Sequence, residues 1–350
     1  MKKLSPELVR QLFLLILVLI LGLLIFFEML PYLSGVLGAV TMHILFKGWM
    51  SKLVKKGLGE SLAASIIIVV SVFIIVIPVT GIILLLSSKI SRAVQNFQEV
   101  ALIIKEQFTE LETSFGYSIS QSIDTSKITD WVSTNLQSLA GGTFNIVIAI
   151  GVMYFILYYL LINRNNLQSS LVGYIPMNQE NINIIGKETN ETVKANAIGI
   201  PLVALCQGII ALIGYLIFGV PDPFFWFVVT TIGSMIPFVG TAIGVIPVTI
   251  ILLAQGNTWQ AIAILIYGIV VVGSTDNIIR LMILKRLSDV HPLVTLIGVI
   301  VGVPLFGFIG LIFGPLIISL FMLMVKLYKY EYGKNPKQIS LEDVLKNNDE

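Results

Sequence analysis

Charge is what this sequence has least of. Only 12% of its 350 residues are Asp, Glu, Lys or Arg, about half the share of a soluble domain. Cysteine occurs once, at Cys206 inside an apolar run, so no disulfide framework holds the fold. Histidine occurs twice, at His43 and His291, which leaves nothing for a multi-histidine metal site. No metal or other cofactor is expected. An HExxH pair, a GxSxG nucleophile elbow and a phosphate loop are all missing. Metalloprotease, hydrolase and ATP-motor chemistry therefore have nothing to rest on, and no enzyme activity is expected. The net charge of +2 comes without a basic block, which argues against a nucleic-acid partner.

What is abundant is hydrocarbon. The chain is 56% hydrophobic with a mean hydropathy of +0.93. Eight apolar segments stand out, at residues 11–27, 32–46, 61–86, 144–162, 198–218, 224–254, 259–284 and 293–327. A helix needs roughly 20 apolar residues to span a bilayer core, and in lipid every backbone N–H and C=O must be paired within the chain. These runs predict an all-α membrane protein. Lys2 and Lys3 followed by an apolar run imitate a signal peptide, but no small-residue cleavage site follows cleanly, so the run reads as a retained first span.

Basic residues near span ends mark the cytoplasmic side. Lys2, Lys3 and Arg10 place the amino terminus inside; only Glu28 is charged between the first two runs, so a tight turn is expected there, outside. Lys47, Lys52, Lys55 and Lys56 bring the chain back inside, and the third run crosses outward with a kink expected at Pro78. Residues 87–142 are polar, with six acids and four bases, and carry two apolar stripes at helical spacing. They read as an extracytoplasmic helical hairpin, a packing spacer or a ligand sensor. Run 144–162 returns inward, a polar segment reaches 196, and run 198–218 leads outward to Val220–Pro221–Asp222–Pro223, where Asp222 reads as an exposed turn residue.

Run 224–254 is too long for one comfortable helix and too short for two crossings. If it crossed once, eight bases from Arg280 to Lys346 would face outside; as a re-entrant hairpin it leaves them inside. Run 293–327 poses the same problem. Laid side by side, IPFVGTAIGVIPV (236–248) and VPLFGFIGLIFGPL (303–316) share Pro-x-x-Gly, a further Gly, then Pro: Pro237, Gly240 and Gly244 in one, Pro304, Gly307, Gly310 and Pro315 in the other. Each follows a helix, and the two units enter from opposite sides. The expected architecture is about six full transmembrane helices plus two broken helical hairpins, with an inverted repeat in the carboxyl-terminal half. Such repeats place a substrate site between hairpin tips and discontinuous helices. Chance matching of Gly/Pro motifs is the bland alternative. The divisions expected are 1–86, amino-terminal transmembrane helices; 87–142, extracytoplasmic hairpin; 143–196, a transmembrane helix and cytoplasmic linker helix; 197–325, transport domain; and 326–350, cytoplasmic tail.

Within GSTDNIIRLM (273–282) an aspartate and an arginine lie four residues apart in a hydrophobic stretch. On a helix Asp276 and Arg280 share a face and can pair. One outcome is structural: Arg280 reaches the surface and Asp276 neutralises it. The other is functional: Asp276, with Asn277 beside it, faces the hairpins and binds a proton, cation or polar substrate, since ionisable residues in a membrane usually line a pathway. His291 before Pro292 titrates near neutrality in principle but suits an interfacial hydrogen bond. Gln207, Ser234 and Thr241 are polar groups in apolar runs near the expected site.

The motifs IPFVGTAIGVIPV, TDNIIR and HPLVTLIGVIVGVPLFGFIGLIFGPL (291–316) resemble the autoinducer-2 exporter family of bacterial membrane permeases, from about residue 198 to 320; where relatives often carry Arg-Pro, this chain has Arg280-Leu281. The resemblance implies a multi-span transporter of the bacterial cytoplasmic membrane, a homo-oligomer and specifically a pentamer. Some relatives export a small polar signalling molecule; others resemble sodium (or lithium)–proton antiporters. The leading expectation is a secondary transporter exporting a small polar or amphiphilic solute, with ion or proton coupling open and both termini cytoplasmic. The alternatives are a sodium–proton antiporter with Asp276 as the exchanging carboxylate, and a non-transporting membrane scaffold.

Overall fold

Residues 6–82, 84, 143–163, 177–236, 240–275, 278–279 and 292–332 are described by the computed structural model of the chain. Among them there is no strand. The helices are α1 (Pro6–Met29), α2 (Leu33–Lys55), α3 (Glu60–Ser71), α4 (Thr143–Ile162), α5 (Gln179–Ile217), α6 (Pro223–Gly233), α7 (Gly240–Ala254), α8 (Thr258–Tyr267), α9 (Pro292–Phe306) and α10 (Gly310–Tyr332). Five helical stretches are long and apolar enough to cross a membrane: Val9–Lys55, Glu60–Ile82, Gln179–Ile217, Thr258–Thr275 and Leu293–Lys329. Shorter apolar helices cover Val147–Ile162, Pro223–Gly233 and Gly240–Ala254. The all-α membrane architecture expected from the hydropathy pattern is therefore present.

One local expectation changes. The first two apolar runs do not fold back on each other. Leu30–Tyr32 forms a single 3-10 turn, and Met29 and Leu33 on either side keep right-handed helical dihedrals. Glu28–Tyr32 contains no glycine or asparagine to supply the left-handed residue that reverses a chain cheaply, so α1 runs on into α2. The 47-residue stretch from Val9 to Lys55 is about 70 Å long at 1.5 Å per residue. The side chains of α1 are exposed all round, from Leu17 at 40% to Val18 at 68%. Helix α5 spans residues 196 and 197, the expected division, without a break. This helix is continuous over 39 residues with Pro201 in its middle. Proline there removes one helical N–H and crowds the carbonyl of Ala197, yet packing on both halves holds the helix through it.

Ahead of Pro78, where a kink is expected, the helix changes its winding. Residues Val72–Val76 form a π-helical turn just ahead of the proline, where an expanded turn accommodates the missing donor and the ring. A second π-helical turn, Gly268–Val272, follows α8. Below it the Thr275 hydroxyl donates to the Val271 carbonyl.

Packing divides the helices into two groups. Helices α2, α3 and α4 share a core of Ala39, Met50, Ala63, Ala64, Ile67, Leu157 and Leu161. Gly35 lets α4 close on α2: a Cβ there would lie 2.5 Å from the Ala149 carbonyl oxygen. The second group is built on α5. Its carboxyl-terminal half packs Ala211 and Tyr215 against Val248 and Leu252 of α7 and Ala261 and Ile264 of α8. Its amino-terminal half packs Val193 against Phe313 and Leu316 of α10, with Leu37, Val40 and Ile44 of α2 closing the cluster. Thus α5 touches both broken segments and the amino-terminal bundle.

Candidate functional site

Both proline-broken stretches fold back as helical hairpins, and glycine explains why they can. In the first, α6 and α7 run antiparallel. A Cβ on Gly233 would lie 2.5 Å from the Gly240 carbonyl oxygen, and one on Gly244 would collide with the Thr230 side chain. In the second, α9 and α10 pair Gly302 with Gly310 and Gly298 with Gly314; a Cβ on Gly302 would lie 2.5 Å from the Gly310 oxygen and 2.6 Å from the Gly314 Cα. Small residues spaced by four let helix backbones approach closely where lipid offers no hydrophobic drive to associate. The 11 residues of α6 and the 15 of α7 measure about 16 and 22 Å. Neither reaches the roughly 30 Å of a bilayer core.

The register differs from the motif alignment. Gly240 opens α7 and presses on Gly233, whereas Gly307, its counterpart in Pro-x-x-Gly, sits at the tip with φ +64° and open space around it. The residue of α10 that packs like Gly240 is Gly310, and Gly244 corresponds to Gly314. The structural repeat is Gly-x-x-x-Gly on each second arm. Pro304 does not end its helix either; α9 continues to Phe306, because a proline in the last turn forfeits only one bond. Gly233, Gly298, Gly302 and Gly314 were not singled out above, although the spacing of four between Gly298 and Gly302 was there to find.

The two hairpins meet on α5. Ile200 of α5, Val299 of α9 and Leu311 of α10 form a buried cluster, with Met235 from the first hairpin and Val303 from the second packed against it. The Asn196 side-chain amide donates to the Ile312 carbonyl at 3.3 Å. That carbonyl lies in the turn that Pro315 interrupts. Two turns away the Glu188 carboxylate accepts from Ser319 of α10 and from Thr192 at 3.3 Å. Lys47 of α2 donates to Asn190. Glu188, Asn190 and Asn196 thus fix this part of α5 to α2 and α10, while Gln179, Glu180, Asn183, Lys187 and Lys194 are exposed.

On the other side, the Thr230 hydroxyl donates to the Trp226 carbonyl at 2.7 Å. Its one proton is spent there, so the Tyr215 hydroxyl, 2.8 Å away, is the donor of their shared bond. The Tyr267 hydroxyl donates to the Ile210 carbonyl at 2.9 Å.

Of the residues expected at the site, Gly240, Gly244, Gly310 and Pro315 are buried in the hairpin seams, and Thr241 is half-buried. Pro304 and Gly307 are exposed at the second tip. Asp222 is an exposed turn residue, at φ 52°, and its carbonyl takes the Phe225 N–H at 3.0 Å. Gln207 and Ser234 are 1% and 2% exposed, and neither the Gln207 amide nor the Ser234 hydroxyl has a hydrogen-bond partner among the described residues. Pro237, Asp276, Asn277, Arg280 and His291 lie outside the described residues, as do segments 87–142 and 333–350.

The profile of the AI-2E family transporters matches residues 14–329. The chain belongs to the AI-2E family. The match extends well ahead of residue 198, so the resemblance read from the carboxyl-terminal motifs covers nearly the whole chain. Among AI-2E relatives, a protein of Aquifex aeolicus carrying the name transport protein is 26% identical over 292 residues, 77% of this chain and 83% of its own length. One from Mycobacterium tuberculosis, similarly named, is 26% identical over 204 residues, 58% of this chain and 53% of its own. The transport protein YdiK of Escherichia coli is 32% identical over 130 residues, 37% of this chain and 34% of its own. The chain thus spans most of the first relative and about half of the second. This AI-2E protein is a multi-pass membrane transporter, and its family points to transport rather than catalysis.

Proposed function

We propose that this AI-2E transporter is a secondary carrier that exports a small polar or amphiphilic solute, a signalling molecule of the autoinducer-2 kind or a related metabolite, across the bacterial cytoplasmic membrane. The observation that carries it is the junction on α5. Two glycine-sealed hairpins, arriving from different parts of the chain, pack there around Ile200. The short arms of the first cannot cross a bilayer alone, which favours re-entry of its tip. Rocking one hairpin against the other would open the junction to alternate sides. Both termini lie in the cytoplasm in this proposal, the protein works as a homo-oligomer, a pentamer, and Asp276 with Asn277 and Arg280 supplies ion or proton coupling.

A specific feature favours a second proposal, sodium (or lithium)–proton antiport. The π-helical turn Gly268–Val272 ends four positions before Asp276 in the chain, and such bulges often sit at functional positions in helices. The two proposals separate in liposomes holding the purified protein, with imposed proton and sodium gradients and a solute panel. A solute carrier retains part of its flux in Asp276→Asn. An antiporter loses all of it, because the amide cannot exchange a proton. A folded protein that moves neither ions nor solutes would end both.

A further inference from the structure

Gln207 and Ser234 are the two polar side chains of the junction whose hydrogen bonds are unmet. Buried polar groups are nearly always paired, and an unpaired one asks for a cause. Their positions relate them. Gly208 of α5 faces Thr231 and Phe227 of α6, and Ile200, further back on α5, packs with Met235, further on in the hairpin. The two segments therefore run antiparallel, and Ser234, one turn past Thr231, comes level with Ala204. Side chains on a helix lean toward its amino terminus, which carries the Gln207 amide over the turn of Val203 and Ala204, to the height of Ser234. Both groups are sealed from solvent, and they do not bond each other. The Thr231 hydroxyl nearby is spent on the Phe227 carbonyl, and the cluster further along α5, Ile200 with Met235, Val299, Val303 and Leu311, is aliphatic apart from the Met235 thioether.

We infer that Gln207 and Ser234 are the paired contacts of a binding subsite between α5 and the first hairpin, one that takes an uncharged group able to donate and accept at once, a hydroxyl or a carboxamide. The inference rests on the carrier reading and narrows its substrate class. A primary amide presents two donors and one carbonyl oxygen, and a hydroxyl presents one donor and two lone pairs. A bare cation would use the two oxygens and leave the amide hydrogens unmet. An anion would use the hydrogens and face the carbonyl oxygen. Only a neutral group with both functions satisfies the pair.

The test uses the full-length protein in liposomes, with glycerol, ribose and acetamide as neutral probes followed by stopped-flow light scattering, and sodium and lithium as the cation probes. Wild type is expected to pass at least one neutral probe. Gln207→Leu and Ser234→Ala should each lower that flux tenfold or more and leave cation movement unchanged. Gln207→Leu should also melt at or above the wild-type temperature, because it removes an unpaired buried amide; a structural role predicts the reverse. Unchanged neutral flux in Ser234→Ala, which deletes one oxygen and keeps the fold in reach, overturns the inference, as does a lowered melting temperature for Gln207→Leu with flux intact. Wild type that moves cations but no neutral probe overturns the subsite and favours antiport over the solute carrier, whereas movement of neither probe class counts against both transport readings.

Discussion

Gly302→Ala puts the closeness of the second hairpin to a quantitative test. The added methyl would lie 2.5 Å from the Gly310 carbonyl oxygen, 2.6 Å from the Gly314 Cα and 3.0 Å from the Gly314 nitrogen, all of them backbone atoms of the facing helix. An ordinary contact begins at 3.4 Å, so the arms must part by 0.9 Å, the difference between 3.4 and 2.5. No side chain can rotate away to absorb this. Overpacking of that kind costs about 1–3 kcal/mol, and the absence of any soft neighbour places it near the upper end. Alanine returns up to about 1 kcal/mol by stiffening the helix. The net loss is about 2 kcal/mol, which lowers the melting temperature by roughly 3 °C for a chain of 350 residues at about 2.1 cal/mol/K of unfolding entropy per residue. Gly151 of α4 and Gly186 of α5 are the controls, since a Cβ at either meets nothing within 4 Å. Their alanine variants should be neutral or slightly stabilised. Melting in detergent, followed by tryptophan fluorescence at one scan rate, gives the comparison. If Gly302→Ala melts with Gly151→Ala, the two arms do not pack backbone to backbone.

Two further substitutions probe the polar fastenings of α5. Asn196→Leu removes the donor to the Ile312 carbonyl and is expected to lower stability by about 1 kcal/mol, a typical value for one interhelical hydrogen bond; an unchanged melting curve would show that the bond does not hold α5 to α10. Tyr215→Phe should cost less than Thr230→Val. The former deletes a donor and leaves Thr230 still bonded to Trp226. The latter strands the buried Tyr215 hydroxyl, and an orphaned donor costs about 1–3 kcal/mol. Equal melting temperatures for the two variants would refute the assignment of Tyr215 as donor.

The sequence carried the helices and the two hairpins openly, because hydrocarbon length and proline-glycine breaks follow from the bilayer and the backbone alone. It carried less about register. Pro-x-x-Gly aligns Gly240 with Gly307, yet a free tip residue at φ +64° and a packed helix-starting residue obey different constraints. Only the facing arm distinguishes them, and that partner is a matter of tertiary packing. The polar stretch 179–196 hides the fastening of α5 for a similar reason. Glu188, Asn190 and Asn196 count as polar in any window, but their bonds to Ser319, Lys47 and the Ile312 carbonyl join residues more than a hundred positions apart. The turn at residues 28–32 failed on a finer point: one polar residue and one proline interrupt an apolar run without reversing it. Asp276 and Arg280, which raise the question of charge in hydrocarbon most sharply, lie outside the described residues, so their pairing rests on spacing alone.

The distribution of small residues and unmet polar groups separates two jobs. Glycines crowd the seams within each hairpin, where close backbone contact makes each pair of short arms behave as one body. Around Ile200, where both hairpins meet α5, the contacts change character to branched side chains, while the bonds of Asn196 to Ile312, Glu188 to Ser319 and Tyr215 to Thr230 and the close approach of Gly208 to Thr231 fasten α5 on either side of that cluster. Aliphatic contacts are non-directional and lose little when two surfaces slide, whereas an interlocked glycine seam cannot shear without collision. Pro201 lies beside Ile200 and between the stretch of α5 that packs α10 and the stretch that packs α6 and α7. A helix lacking one bond there bends more readily than one without a proline. Motion is therefore cheapest in the short stretch of α5 around Ile200 and Pro201, between the fastened ends of the helix.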